Sequence, residues 1–196
     1  ELRKLASGEV PLADYVPFGA HLSPQVIKLR HSGDVIAIWK LEGISFETSD
    51  FDELNTRKEA LNNFLHTLGG GACALWSHKL RREVSHRLEG SFTNTFCAQL
   101  DERYHAGFHN YRMMATELYV TLVYRPSPSK VVSLFKRMAV RSAEQITAQQ
   151  REVLDVMDDL CKQVQSSLAP YGPERLSTFE RGDVAYSGMA SFLGFL

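Results

Sequence analysis

Apolar residues recur along this chain at two spacings, and the switches between them mark out its elements. Val26-Ile27-Lys28-Leu29-Arg30 and Val35-Ile36-Ala37-Ile38-Trp39-Lys40-Leu41 flank His31-Ser32-Gly33-Asp34. Two β-branched runs about a Gly-containing turn predict a β-hairpin, which Gly43 ends. The period then changes: Phe51, Leu54, Leu61, Leu65 and Leu68 share one face of a helix, with Thr48-Ser49-Asp50 as capping residues and Gly69-Gly70-Gly71 as its stop. Ala72 to Leu80 reads as a third strand, followed by a basic, polar segment from Lys79 to Gly90. Phe96, Leu100, Tyr104, Tyr111 and Met114 predict a helix within 93–114. Leu118 to Tyr124 is apolar on both faces, as the central strand of a covered sheet is, and the prolines of Arg125-Pro126-Ser127-Pro128 end it. Ser142-Ala143-Glu144-Gln145 has the capping-box pattern. Beyond it Ile146, Val153, Met157, Leu160, Val164 and Leu168 line one face of a long helix. Val131 to Val140 reads as a short helix or a connector, and Leu176 to Glu180 as a last strand.

This order predicts a single α+β domain: a mixed or antiparallel sheet opened by a hairpin and covered by amphipathic helices. The helices of residues 51–68 and 146–168 are expected to cover the two faces of the 118–124 strand. Residues 1–24, with Pro11, Pro17, Gly19 and Pro24, form an extended lead-in anchored by Tyr15, Val16 and Phe18. Residues 25–183 are the domain. Residues 184–196 read as an apolar helix with no charge after Asp183. Met189, Phe192, Leu193, Phe195 and Leu196 exceed what one helix face can bury, so this segment is expected to be an interface leading toward a further domain. The chain as a whole reads as a piece of a longer one.

Composition narrows the function classes. Twenty-two Lys+Arg against 23 Asp+Glu give a net charge of -1, without the basic excess of a dedicated nucleic-acid binder. Cys73, Cys97 and Cys161 are scattered, odd in number and in apolar surroundings, which points away from a disulfide framework or zinc site and toward a reducing compartment, the cytoplasm. No apolar run reaches the roughly 18 residues of a membrane helix.

The residue patterns that carry three common chemistries are incomplete in this chain. A phosphate-binding loop needs backbone amides and a Lys around the phosphates, but Gly69-Gly70-Gly71 runs into Ala72-Cys73-Ala74 with no Lys. His105 and His109 have i, i+4 spacing with Asp101 one turn back, yet Ala106 stands where a zinc protease has Glu, and Gly107 weakens the helix. Ser77 and His78 point to opposite faces of a strand, so they cannot form a nucleophile–base pair, and Asp155, Asp158 and Asp159 beside Arg151 and Lys162 form a charged outer face. No catalytic, metal or cofactor residues are assigned.

One segment remains. Trp76-Ser77-His78-Lys79-Leu80-Arg81-Arg82-Glu83 places an indole, an imidazole and three cations at the end of a strand. Either Trp76 is core and the cations are solvated, or the segment docks a partner, because Trp and Arg anchor interfaces. Trp76, His78, Lys79, Arg81 and Arg82 are then candidate contacts, with Phe192, Leu193 and Phe195 from the C-terminal segment. The alternative is nucleic-acid contact through Lys79, Arg81, Arg82 and Arg87 beside Trp76, which a steep salt dependence would reveal.

The order of signals resembles a known family. Asp14-Tyr15-Val16-Pro17-Phe18, Trp39-Lys40-Leu41-Glu42-Gly43, Leu75-Trp76-Ser77-His78 with Arg81-Arg82, Leu100-Asp101-Glu102-Arg103-Tyr104 and Glu117 through Pro126 together resemble the VirB/TrbE/CagE family of type IV secretion ATPases, in the region preceding the motor. The likeness covers residues 10–126. It implies a bacterial parent several hundred residues long, with a RecA-like ATPase domain downstream whose ATP and Mg²⁺ sites lie beyond Leu196. It further implies work at the cytoplasmic face of the inner membrane, energising pilus assembly and the transfer of protein or DNA, as in conjugation. The expected partners are inner-membrane secretion subunits and other copies of the ATPase, with nucleic acid less favoured. The role implied for this piece is non-catalytic assembly and docking.

Overall fold

The hairpin forms where the β-branched runs place it. Strands β2 (Val26–Leu29) and β3 (Val35–Leu41) pair antiparallel, and Gly33 takes φ 74°, a left-handed value that favours glycine, in the turn between them. This computed structural model describes residues 16–45, 47, 49–69, 72–84, 90–107, 112–126 and 143–196. Tyr15, Gly70, Gly71, Arg87, His109, Tyr111, the 131–140 segment and Ser142 lie outside them. The lead-in is more regular than expected, because Phe18–Ser23 is a strand, β1, paired with β2.

After α1 (Phe51–Leu68) come β4 (Cys73–Glu83), α2 (Thr95–Ala106), β5 (Met114–Tyr124) and α3 (Ala143–Ser167). A 3₁₀ turn (Ala169–Tyr171), β6 (Pro173–Arg175), β7 (Thr178–Arg181), β8 (Val184–Ser187) and the short α4 (Gly188–Leu193) complete the chain. The main sheet has the order β1-β2-β3-β5-β4, and every pairing is antiparallel. Strand β6 joins it at Trp39–Leu41, further along β3 than the Val35–Ile36 stretch that pairs β2. The fold is α+β. Strand β5 is central, as expected, between β3 and β4.

Strands β4 and β5 are both longer than their apolar patterns indicate. They pair in one register from Cys73–Tyr124 to Glu83–Met114, and the ladder itself carries the basic end of β4 into regular structure. Because β3 reaches only Leu118, the last four residues of β4 (80–83) and the first four of β5 (114–117) continue beyond it as a two-stranded arm.

The helices do not divide between the two faces. Phe64 and Leu68 of α1 and Met157, Cys161, Val164 and Leu168 of α3 all pack on one face, against Val26, Val35, Ala37, Trp39, Val120 and Leu122. The stripe of α1 is also rotated from its expected position. Leu61, Phe64 and Leu68 turn inward while Phe51 and Leu65 are exposed, so the large Phe64 ring sets the face. Asp50 stands at the N-cap without a side-chain bond to the helix, contributing charge there with Asp52 and Glu53. Trp39 ties the layers together: its Nε1 donates to Gln165 Oε1 at 2.7 Å, and the Arg175 guanidinium lies 5.7 Å from its ring centre.

The opposite face is covered by the C-terminal segment, which corrects two expectations. Residues 184–196 are not one helix. Strand β8 pairs with β7 through a two-residue turn in which Gly182 takes φ 65°, and only Gly188–Leu193 is helical, capped by Ser187 Oγ accepting from Ala190 N–H. Nor is the apolar excess all left over for a partner. Met189 and Phe192 are buried against Ile27, Ile36, Ile38 and Val123, with Leu193 packed beside them. Phe195 and Leu196 remain exposed.

Helix α2 ends at Ala106, so Met114 belongs to a strand and not to this helix. Asn94 caps it by accepting from Phe96 N–H, and none of its residues is buried; Phe96, Leu100 and Tyr104 are about two-thirds exposed. Replacing Phe96 and Leu100 by Ser should therefore shift stability by no more than about 0.5 kcal/mol per site in urea unfolding. A larger loss would place α2 in the folding core.

Candidate functional site

Alternation along β4 decides which candidate residues can act together. Trp76, His78, Leu80 and Arg82 project from one face, Ser77, Lys79 and Arg81 from the other. The first set shares its face with Lys40 of β3, with Glu117 and Tyr119 of β5, and with α4. The cationic patch is thus split, and Lys79 and Arg81 do not stand beside Trp76.

What gathers instead is a recess between the sheet and α4, a cavity of about 380 Å³ with an apolar wall of Leu80, Leu176, Phe192 and Phe195. Its polar wall is a network on one carboxylate. Glu117 Oε1 accepts from Lys40 Nζ at 2.9 Å and from Arg82 Nη2 at 2.8 Å, while Oε2 accepts from Tyr119 O–H at 3.2 Å. Arg81 borders the cavity as well. Two cations, Lys40 and Arg82, therefore meet a single, largely buried carboxylate. Phe192 forms the floor, 4.3 Å from the Tyr119 ring and edge-on to His78 at 5.4 Å. Trp76, more than half exposed, lies further along β4, outside the cavity, and Phe195 stands exposed at its mouth.

The network sets the ionisation of its members. The hydrogen bond from Lys40, chiefly, holds the Glu117 carboxyl below its ordinary 4.5, and the same bond raises Lys40 above 10.5. Tyr119 is raised too, first by burial and then by the Glu117 charge. A carboxyl with a depressed folded-state pKa stabilises the fold above its unfolded value and loses that stabilisation as pH falls through the folded one. Glu117→Gln should therefore lower the melting temperature at pH 7, and the gap to the unsubstituted chain should close as pH drops below about 4. A gap independent of pH would mean that the network carries no charge-linked stability.

Lys40, Glu117 and Tyr119 were not among the candidates read from the sequence, although a signal was present. Lys40 is the one charged residue of β3 and Glu117 the one charged residue of β5. Elsewhere, His105 Nε2 lies 3.3 Å from Asp101 Oδ1 on α2. Cys161 is buried in the core, which raises its thiol to about 11 and leaves it a packing residue.

The family described as "Type IV secretion system ATPase VirB4/TrbE, N-terminal domain" matches residues 26–131. The chain is 37% identical over 180 residues to the type IV secretion system protein virB4 of Brucella suis biovar 1, covering 89% of this chain and 22% of that protein. It is 30% identical over 183 residues to virB4 of Bartonella henselae, covering 92% and 23%. Against the type IV secretion system protein PtlC of Bordetella pertussis it is 30% identical over 171 residues, covering 86% and 20%. The chain thus spans about a fifth of the length of these relatives.

Proposed function

The chain belongs to the VirB4/TrbE N-terminal domain family of type IV secretion ATPases, and from that membership we propose that it is a non-catalytic docking domain. It holds the motor of a longer ATPase against inner-membrane secretion subunits and against further copies of itself. In this reading ATP and Mg²⁺ bind in a downstream RecA-like domain, whose turnover energises pilus assembly and the translocation of protein or DNA. The domain works peripherally at the cytoplasmic side of the membrane. No helix among the described residues is long and apolar enough to cross one.

The observation that carries the reading is the second sheet face, where exposed Trp76 and Phe195 flank a cationic and apolar recess. Exposed aromatics beside Arg and Lys are the composition of interface anchors, and a floor built on buried Phe192 is rigid enough to serve one. The nucleic-acid reading has less support. Lys79 and Arg81 project away from Trp76, and Arg82 is engaged by Glu117.

A photo-crosslinking residue at Trp76 or at Phe195 of the parent protein should give cross-links to secretion-system subunits in cells. The same residue at Phe51, exposed at the head of α1, should give few or none. Equal yields from all three positions would overturn the assignment of docking to this face.

A further inference from the structure

Two cations share one acceptor atom in the recess. Lys40 and Arg82 both donate to Glu117 Oε1, and the other oxygen of that carboxylate is occupied by Tyr119. An ammonium has three donors and a guanidinium five, so each retains hydrogen-bonding capacity that Glu117 cannot take up. Both side chains also remain partly solvent-exposed, at 40% and 55% for Lys40 and Arg82. The rest of the lining is mostly apolar, with Leu80, Leu176, Phe192 and Phe195 beside Gly188, Ser191 and Arg81. A ligand that complements both walls carries a negative charge and an apolar group side by side.

Size restricts it further. At about 380 Å³ the cavity is near the lower end of the roughly 300–1,000 Å³ typical of ligand pockets, room for one or two side chains. Resting on the docking reading above, we infer that this recess is a peptide-recognition pocket. It receives an acidic residue next to an aromatic or large aliphatic one from a partner subunit, the carboxylate bridging Lys40 and Arg82 and the apolar side chain lying on Phe192. A planar guanidinium with spare donors suits carboxylate recognition. The apolar side chains of the pocket shield the pair from part of the surrounding water, so its charge is worth somewhat more than at an open surface.

The test uses fluorescence anisotropy of the purified chain with a fluorescein-labelled hexapeptide carrying a central Glu-Phe pair. Gln-Phe and Glu-Ala versions are controls. The Glu-Phe peptide should bind saturably, and each control at least about tenfold more weakly, the order expected for losing a charged hydrogen bond or a buried ring. Lys40→Met and Arg82→Met should each reduce Glu-Phe affinity about tenfold. Phe195→Ser, a change at an exposed position that leaves the core intact, should reduce it too. Trp76→Ala, outside the cavity, should leave peptide affinity unchanged.

Equal binding of Glu-Phe and Gln-Phe would overturn the proposal, as would absence of saturable binding. Binding of anionic lipid vesicles in place of the peptide would do so as well. The docking reading fails separately: if the chain captures no secretion subunits while Glu-Phe binds as described, docking is wrong and the pocket chemistry stands. If it captures them with no peptide bound, the pocket chemistry alone is wrong.

Discussion

Removal of residues 184–196 is expected to abolish the cooperative thermal transition of this chain. Read as sequence, the segment looked dispensable for the core, an apolar helix reserved for a neighbour. In the fold it covers one face of the sheet: Met189 is fully buried and Phe192 nearly so, against Ile27, Ile36, Ile38 and Val123. Truncating a buried Met or Phe to Ala costs about 2–5 kcal/mol each. Losing both, with Leu193, removes an amount comparable to the ~5–15 kcal/mol net stability of a domain. The deletion also strips β8 from β7 and removes the bonds from Gly188 N–H to Ser177 O and between Ser187 Oγ and His21 Nε2. Calorimetry should show no two-state peak for the truncated chain. A sharp peak near the temperature of the intact chain would mean that the sheet does not need this cover.

Leu122→Asp should unfold the domain. Leu122 is fully buried in β5, opposite Ala37 of β3 on one side and Leu75 of β4 on the other, within the core that α1 and α3 close. A carboxylate there has no partner and no water. It either stays charged at a cost of several kcal/mol or takes up a proton at neutral pH, and both exceed what a marginal fold tolerates. Leu118→Asp, in the same strand but 37% exposed, should be much milder. The two variants compared by urea unfolding separate burial from strand propensity. Equal, small losses would make β5 an edge and contradict the sheet order.

Strand positions were legible because β-branched runs and Gly33 are local signals, and α3 was legible because its stripe repeats over 25 residues. Faces were not. Nothing local told α1 to turn Phe64 inward in place of Phe51, since that choice depends on the shape of the sheet it meets. The apolar run after Asp183 failed for a related reason. A segment that covers a sheet face and a segment that waits for a partner have the same composition, and only the position of Ile36, Ile38 and Val123 distinguishes them. The candidate site was half visible. Trp76, His78, Arg82, Phe192 and Phe195 do share a face, but the run Lys79–Arg82 concealed that alternation sends Lys79 and Arg81 away. Lys40 and Glu117 are 77 residues apart and meet through strand register alone.

Docking through the Trp76 face, as proposed above, makes a direct prediction about binding. Its most direct test is the affinity of the purified chain for a detergent-solubilised subcomplex of inner-membrane secretion subunits, measured by biolayer interferometry for the unsubstituted chain, Trp76→Ala and Lys79→Ala. Trp76→Ala should weaken binding at least about tenfold, as loss of an aromatic anchor does, while Lys79→Ala, on the opposite face, should change it less than about twofold. Undiminished binding by Trp76→Ala would contradict the account, and so would loss through Lys79→Ala alone.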